Sequence, residues 1–330
     1  MTRKTPSHIR FALALTLGLG LFSCATAATP MSVDNVRNLQ EILSWETQGI
    51  PVLAVEASQD GSRIFGTRGH IVTIWDAATG GILDSWPADP GYAAGMGLSP
   101  DESLLATAGS DGSVKVWETK TGALVRTFSP AGTHTVAFSP DGARIASGGT
   151  SGVLRVWDVD TGAMLHEIDT GSRMFDVDFS PDGASIATVH GLPDFAVRLW
   201  NAAGGDLLWD SFEHDGDAHS ASFSPNGDYL ATVDGDGRVY VFDAVTGERL
   251  RSLVGHRAPL FCVRFITDRL LATGDGGGQV KLWDVEAGRW LADVSIFRSQ
   301  ISALGVSPDR EVLVLASFDM RVVLLAVPEG

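Results

Sequence analysis

The chain has 330 residues, with 40 acidic and 24 basic side chains, and therefore a formal net charge of −16 and a pI near 4.8. Proteins that bind phosphate backbones need a surplus of Lys and Arg, so this composition argues against nucleic acid as a partner. The chain holds two cysteines, Cys24 and Cys262, which excludes a fold held together by several disulfides.

The first 27 residues have the layout of a secretory signal peptide. Three basic residues, Arg3, Lys4 and Arg10, precede an apolar run over 11–22, and small residues follow at 23–28. This order is typical of export signals, and the run is shorter than the ~20 residues that span a bilayer. The sequence therefore predicts an exported protein, periplasmic or extracellular, that is soluble once processed.

Two routes of processing fit this segment. Ala25-Thr-Ala27 matches the small-x-small site of ordinary signal peptidase, which would leave Ala28 as the first residue. Leu21-Phe-Ser-Cys24 resembles a bacterial lipobox, in which Cys24 would carry a lipid, although Phe22 departs from the usual pattern. Ordinary cleavage is favoured, and membrane attachment is expected only if Cys24 is lipidated. Residues 28–40 lack any repeat pattern and are predicted to form a tether.

From residue 41 onward the chain repeats a unit of four short apolar segments separated by turns, most clearly over Ser99–Phe128. Two signatures recur. The first is a turn, found at Ser58-Gln-Asp-Gly61, Ser99-Pro-Asp-Glu102, Ser139-Pro-Asp-Gly142, Ser180-Pro-Asp-Gly183, Ser224-Pro-Asn-Gly227 and Ser307-Pro-Asp-Arg310. The second is a Trp-Asp pair or its variant, found at Trp75, Trp117, Trp157, Trp200, Phe242 and Trp283, with Leu325 at the seventh position. Its spacing is 40 to 43 residues.

This pattern resembles the WD-repeat (WD40) family, and specifically an exported bacterial member of it. The resemblance implies an all-β, seven-bladed β-propeller of four-stranded antiparallel blades over residues 41–330. Ile42-Leu-Ser-Trp45 precedes Ser58 by 16 residues, as Leu83-Asp-Ser-Trp86 precedes Ser99, and so matches a fourth strand. The C-terminal copy lacks that strand. We therefore predict that the N-terminal strand completes the last blade and closes the ring.

The resemblance also implies a buried structural relay of four residues: a second-strand hydroxyl, a turn Asp, a loop His and a third-strand Trp. The hydroxyl is present in the five middle copies, the turn Asp is also present as Asp194 in the fourth copy and Asp319 in the seventh, and the predicted relay residues come from the second, fifth and sixth copies. These are Thr107, Asp111 and Trp117 in the second copy, His214, Thr232, Asp236 and Phe242 in the fifth, and His256, Thr273 and Trp283 in the sixth. Gly277 stands at the turn position of the sixth copy, so no copy is expected to have all four.

No motif for catalysis, cofactor or metal binding is evident. The chain has no nucleophile elbow and no Gly-rich phosphate loop between a strand and a helix. Four loop histidines, His70, His134, His190 and His219, fall on one face without the spacing of a local ligand pair. We predict no enzyme, no metal and no cofactor. The alternative is an enzyme or metal-dependent sensor that uses the central funnel.

The predicted function is that of a non-catalytic scaffold for protein–protein interaction. Loops into the first strands and turns after the second strands crown one face, and they carry Arg, Met and aromatic residues of the kind enriched at protein interfaces. The predicted partner-binding face consists of Arg68, Tyr92, Arg173, Met174, His190, Arg257, Arg298 and Phe318. The loop His190–Asp194 lengthens the fourth copy and is the expected specificity element.

Overall fold

The structure, a computed structural model, describes residues 28–129 and 131–328. The predicted signal peptide and Cys24 lie outside these residues. The described chain begins with strand β1 (Ala28–Thr29), a single 3-10 turn (Val36–Asn38) and strand β2 (Gln40–Glu46). Everything that follows is strand and turn.

Six blades of four antiparallel strands come next, each strand pairing with the one that follows it. Blade 1 consists of β3 (Val52–Ala57), β4 (Arg63–Arg68), β5 (Ile71–Asp76) and β6 (Ile82–Pro87). Blade 2 consists of β7 (Ala93–Leu98), β8 (Leu104–Gly109), β9 (Val114–Glu118) and β10 (Leu124–Phe128). Blade 3 consists of β11 (Thr133–Phe138), β12 (Arg144–Gly149), β13 (Val153–Asp158) and β14 (Met164–Asp169).

Blade 4 consists of β15 (Met174–Phe179), β16 (Ser185–His190), β17 (Val197–Asn201) and β18 (Leu207–Ser211). Blade 5 consists of β19 (Ala218–Phe223), β20 (Tyr229–Asp234), β21 (Arg238–Asp243) and β22 (Arg249–Val254). Blade 6 consists of β23 (Leu260–Phe265), β24 (Leu270–Asp275), β25 (Gln279–Asp284) and β26 (Arg289–Ser295). Blade 7 contributes β27 (Ile301–Val306), β28 (Val312–Ser317) and β29 (Arg321–Pro328).

The recurring Ser-Pro-Asp turns fold as their side chains dictate. In blade 2, Ser99 Oγ donates to Asp101 Oδ1 at 2.7 Å and accepts from the backbone N–H of Leu104 at 2.9 Å. The backbone N–H of Glu102 donates to the Ser99 carbonyl at 2.8 Å. Proline presets φ for the turn and aspartate caps it, so each first strand reverses into the second strand at a fixed residue.

The hydrophobic core lies between neighbouring blades. Each interface holds its own cluster of buried side chains; one of them joins Val156 of blade 3 to Val177 and Ile186 of blade 4. A single blade leaves one apolar face uncovered, so stacking the blades around an axis buries a continuous core.

The N-terminal strand completes the last blade, which confirms the predicted fold and its closure. Strand β2 pairs antiparallel with β29 from Gln40 opposite Ala326 to Glu46 opposite Arg321. The Trp45 ring lies 5.9 Å from that of Trp75 in blade 1. The seventh sheet therefore has no open outer edge along β29.

Residues 28–39 do not hang free as a tether would. Strand β1 pairs with the end of β29, and the backbone N–H of Met31 donates to the carbonyl of Arg310 at 2.8 Å. Met31 and Val36 are fully buried in the cluster between blades 6 and 7. Met31 and Val36 are enough to dock this segment, because each buries its apolar side chain in a hydrophobic gap between blades.

Candidate functional site

The upper face is defined here as the face that carries the loops into each first strand and the turns between second and third strands. Of the residues predicted there, five are exposed: Tyr92, Arg173, Arg257, Arg298 and Phe318. They are spread over the loops of blades 2, 4, 6 and 7. Within the described chain, the side chains of Arg257 and Arg298 enter no ion pair or hydrogen bond.

Three residues predicted for this face are buried instead, which corrects the sequence interpretation. Arg68 is 7% exposed, and Met174 and His190 are completely buried. They occupy the ends of β4, β15 and β16, and Met174 packs so closely against Gly148 of blade 3 that a Cβ there would clash with it. A one-residue change in where a loop ends and a strand begins reverses the side that each residue faces.

A row of rings lies on the upper face at the starts of three neighbouring first strands, beside the channel, and the sequence analysis missed most of it. The Arg173 guanidinium lies 4.1 Å from the centre of the Phe175 ring. Phe175 meets His219 edge-on at 5.0 Å, and His219 stacks on Phe261 at 4.8 Å. We call Phe175, His219 and Phe261, with Arg173, the aromatic row. The three rings are the second residues of β15, β19 and β23, and this shared position could have revealed them.

His219 is fixed in this row by a hydrogen bond between its Nδ1 and the carbonyl of Leu260 at 2.7 Å. His134 lies beside the row on blade 3 and is half-buried. Burial, together with the nearby charge of Arg173, lowers the pKa of His134 below its usual value. Imidazole and phenyl rings next to one exposed cation form a surface suited to apolar and anionic groups.

The structural relay is complete in blade 6, contrary to the sequence expectation. His256 Nδ1 lies 2.8 Å from Asp275 Oδ2, and its Nε2 lies 2.7 Å from Thr273 Oγ1. The indole Nε1 of Trp283 donates to the same hydroxyl at 2.8 Å. Burial alone would raise the pKa of Asp275, but its hydrogen bonds with His256 and backbone N–H groups hold it below the usual value. The aspartate is Asp275, two residues after Thr273, rather than a residue at position 277.

The same offset corrects blade 5. His214 Nδ1 lies 3.0 Å from Asp234 Oδ2, and its Nε2 lies 2.8 Å from Thr232 Oγ1. Asp236, predicted as the relay aspartate, is exposed. Phe242 packs in the tryptophan position and has no donor for the hydroxyl. Residues two apart in a strand share one face, so Asp234 rather than Asp236 accompanies Thr232.

Blades 2 and 4 depart from the relay. In blade 2 the Trp117 indole donates to Thr107 Oγ1 at 3.0 Å, but Asp111 pairs with Lys115 at 2.6 Å on the surface instead. In blade 4, His190 occupies the aspartate position.

The buried His190 is held on both sides of its ring by hydrogen bonds. Its Nε2 lies 2.8 Å from Thr188 Oγ1, and its Nδ1 lies 3.2 Å from the Ser172 carbonyl. The Trp200 indole donates to the same Thr188 hydroxyl at 2.9 Å. Burial, reinforced by the charge of Arg198, lowers the pKa of His190 to about 4. These residues hold the blade together and are sealed from any ligand.

The central channel contains a polar cluster that the sequence analysis did not identify. Glu56, Asp176, Asp178 and Arg264 line a cavity of about 340 Å³. Arg264 lies 3.3 Å from Glu56, and both are partly exposed to the channel. Burial raises the pKa of Asp178 to about 7, against the opposing charge of Arg264.

Asp176 is held by its neighbours rather than left open. It accepts hydrogen bonds from Ser220 Oγ at 3.0 Å, from Thr135 Oγ1 at 3.2 Å and from the N–H groups of Ala221 and Val177. Burial raises its pKa in spite of these bonds. The cluster ties blades 3, 4 and 5 together along the axis.

The described residues contain neither a cluster of metal ligands nor a reactive thiol. No group of three or more His, Cys, Asp or Glu residues there is arranged to hold a metal ion. Cys262 is buried, and burial raises the pKa of its thiol, which keeps it protonated and unreactive. Within the same residues, no helix is long and apolar enough to cross a membrane.

Comparison with known proteins agrees with this architecture. The family model described as "IFT122 first beta-propeller" matches residues 51–326, which covers β3 to β28 and most of β29 and leaves out β1 and the closing β2. The chain belongs to the WD-repeat β-propeller family. WD-repeat propellers of this family are generally non-catalytic scaffolds that bind proteins.

The curated relatives match a limited part of the WD-repeat chain. WD repeat-containing protein 55 of Bos taurus is 31% identical over 113 residues, which is 34% of this chain and 30% of that protein. Serine-threonine kinase receptor-associated protein of Homo sapiens is 31% identical over 114 residues, 34% of this chain and 31% of that protein. The matched part spans less than a third of each relative's length.

Proposed function

We propose that this WD-repeat protein is a non-catalytic scaffold whose upper face binds a protein partner. The observation that carries the proposal is the aromatic row, which joins three blades beside the channel and ends at the exposed Arg173. Arg257, on the loop into the strand that holds Phe261, adds a second exposed cation. Aromatic and Arg side chains contribute most of the binding energy at many protein interfaces.

The test is a double substitution, Arg173→Ala with Arg257→Ala, in affinity capture from the native source followed by mass spectrometry. Both side chains are exposed, so the variant should fold normally and lose the partner that the parent chain retains. Lys115 is unsuitable as a control because it pairs with Asp111 and lies near Asp89 on this face. The matched control is Lys120→Ala with Arg289→Ala, two exposed residues in or next to the turns between third and fourth strands.

The control variant should keep the partner. If the control loses the partner and the Arg173, Arg257 variant retains it, the partner binds elsewhere and the assignment of the upper face is wrong. Equal capture by all three chains would also contradict it.

We further propose that the protein acts after export to the cell envelope, supported by the basic, apolar and small-residue order of residues 1–27. The intact mass of protein from the native source tests this. A chain beginning at Ala28 is expected. A lipidated chain beginning at Cys24 would replace ordinary cleavage with membrane anchoring, and an uncleaved chain would contradict export.

A further inference from the structure

A second cavity, of about 350 Å³, lies between the closing strand of blade 7 and blade 1, away from the central channel. Its walls include Trp45, Thr47, Gln48, Arg68, Trp75 and Ile82. The volume falls in the range that holds a small molecule.

Arg68 is the distinctive residue of this cavity. It follows Gly66 by two residues, so it stands where blades 5 and 6 carry the relay aspartates Asp234 and Asp275. Blade 1 therefore has a buried cation at the position where blades 5 and 6 have a buried anion. The Arg68 side chain lines the cavity although the residue as a whole is only 7% exposed.

The guanidinium of Arg68 has no anionic partner within the described chain. Its Nε donates to Thr73 Oγ1 at 3.0 Å, and its Nη1 donates to the Thr47 carbonyl at 3.1 Å. An arginine carries five N–H donors and stays ionised, so donors remain for another acceptor. Burying an unpaired charge is unfavourable, and an anion in the cavity would relieve that cost.

The rest of the wall is apolar and aromatic. The Trp45 and Trp75 rings lie 5.9 Å apart, and Ile82, at the rim, is 45% exposed. The Trp45 indole Nε1 is buried with no hydrogen-bond partner among the described residues. Indole rings beside a guanidinium suit a molecule that has an apolar or aromatic body and one anionic end.

One acidic residue, Glu46, also lines the cavity. It is exposed and makes no ion pair in the described chain. Its charge therefore lies toward water, where solvent and salt screen it. It should weaken, without preventing, the binding of an anion to Arg68.

We propose that this cavity binds a small organic carboxylate, with the carboxylate on Arg68 and the apolar body against Trp45 and Ile82. The cavity lies on blades 7 and 1, whereas the aromatic row lies on blades 4 to 6, so binding in the cavity can be tested apart from the protein partner. A planar guanidinium recognises a carboxylate with two parallel hydrogen bonds, which accounts for an arginine at this position.

The test uses phenylacetate as the probe and phenylacetamide as its neutral match, followed by calorimetry and by the indole N–H resonances of the folded protein. Phenylacetate should bind saturably in the millimolar range or tighter and shift the Trp45 resonance, which Trp45→Phe identifies. Phenylacetamide should bind roughly tenfold more weakly or not at all. Absence of saturable binding by phenylacetate overturns the proposal, as does equal binding of the two probes.

Two substitutions should shift the affinity in opposite directions. Arg68→Met should abolish phenylacetate binding, whereas Glu46→Gln should strengthen it roughly two- to threefold because one screened repulsion is removed. If Arg68→Met does not fold, Ile82→Glu at the exposed rim replaces it and should weaken binding at least as much as Glu46→Gln strengthens it. Unchanged affinity in a folded Arg68→Met, or in both rim variants, contradicts the proposal.

Discussion

Closure of the ring by the N-terminal segment is the prediction that most directly tests how this propeller holds together. A chain that begins at Thr47 would lose β1, β2 and the buried side chains between them. Met31 alone is 1% exposed, and truncating a buried Met to Ala costs about 2–5 kcal/mol. Val36 and the half-buried Leu43 and Trp45 are lost with it, so the deletion should cost several kcal/mol.

That loss is large compared with the total stability of about 5–15 kcal/mol that is usual for a domain. The assay is urea denaturation, in which the chain that starts at Thr47 is compared with the chain that starts at Ala28. The deletion should lower the midpoint and leave β29 with an unpaired edge that promotes association. A synthetic peptide of residues 28–46 should restore part of the midpoint by refilling that edge.

Two point variants separate the strand from the arm before it. Met31→Ala should lower the free energy of unfolding by about 2–5 kcal/mol, whereas Ile42→Ala, which is 43% exposed in β2, should change it by less than about 0.5 kcal/mol. Equal midpoints for the deleted and complete chains would refute the closure argument. A midpoint unaffected by Met31→Ala would show that residues 28–39 are a tether after all.

Three further predictions concern buried polar groups. Thr273→Val leaves both His256 and the Trp283 indole without a hydrogen-bond partner and should lower the free energy of unfolding by about 1–3 kcal/mol. The loss should exceed that of Ser147→Ala, which leaves one indole donor without a partner. Equal denaturant midpoints would count against the relay. The pKa of His190, about 4 in the folded chain, lies below its unfolded value of 6.5, so its contribution is complete above pH 6.5 and is lost as pH falls toward 4. His190→Gln should therefore flatten the acid side of the stability profile by up to about 3 kcal/mol, and a parallel profile would contradict this. The pKa of Asp178, about 7, lies above its unfolded value of 3.8, so its contribution is present below pH 3.8 and lost as pH rises through 7. Asp178→Asn should therefore raise the free energy of unfolding more at pH 8 than at pH 4, by up to about 4 kcal/mol, and a gain that is the same at both pH values would argue otherwise.

The repeat pattern predicted the architecture because its recurring residues mark where each strand begins and ends. The Ser-Pro-Asp turns mark each reversal, and the spacing of Ile42 and Trp45 before Ser58 placed β2 in a fourth-strand position. The pairing of β2 with β29 follows from that spacing together with the missing fourth strand of the C-terminal copy. The docking of Met31 and Val36 could not be predicted, because it depends on gaps between blades that no local pattern records.

The candidate site was harder to predict than the fold. The relay aspartate was placed in the turn at Asp236, although the two-residue period of a strand favours Asp234, which shares a face with Thr232. Met174 was expected in a loop but begins β15 and fills the gap against blade 3. Phe175, His219 and Phe261 meet only because the ring brings three distant first strands together, so their contact is visible in the structure and not in any one repeat.

Blade 7 is built from strands that lie far apart in the sequence, and this also determines when the protein can finish folding. Strand β2 is synthesised before all six of the four-stranded blades, yet its partner β29 follows them as the last of the described strands. Blades 1 to 6 can stack as they emerge, since each pairs only within itself and with its neighbour. The ring stays open until β29 has been synthesised, and contacts between segments so far apart in sequence form slowly because the loop they close is long. During that interval β2 offers unpaired backbone groups to any other strand, so the newly made chain needs low concentration or a protective binder until closure.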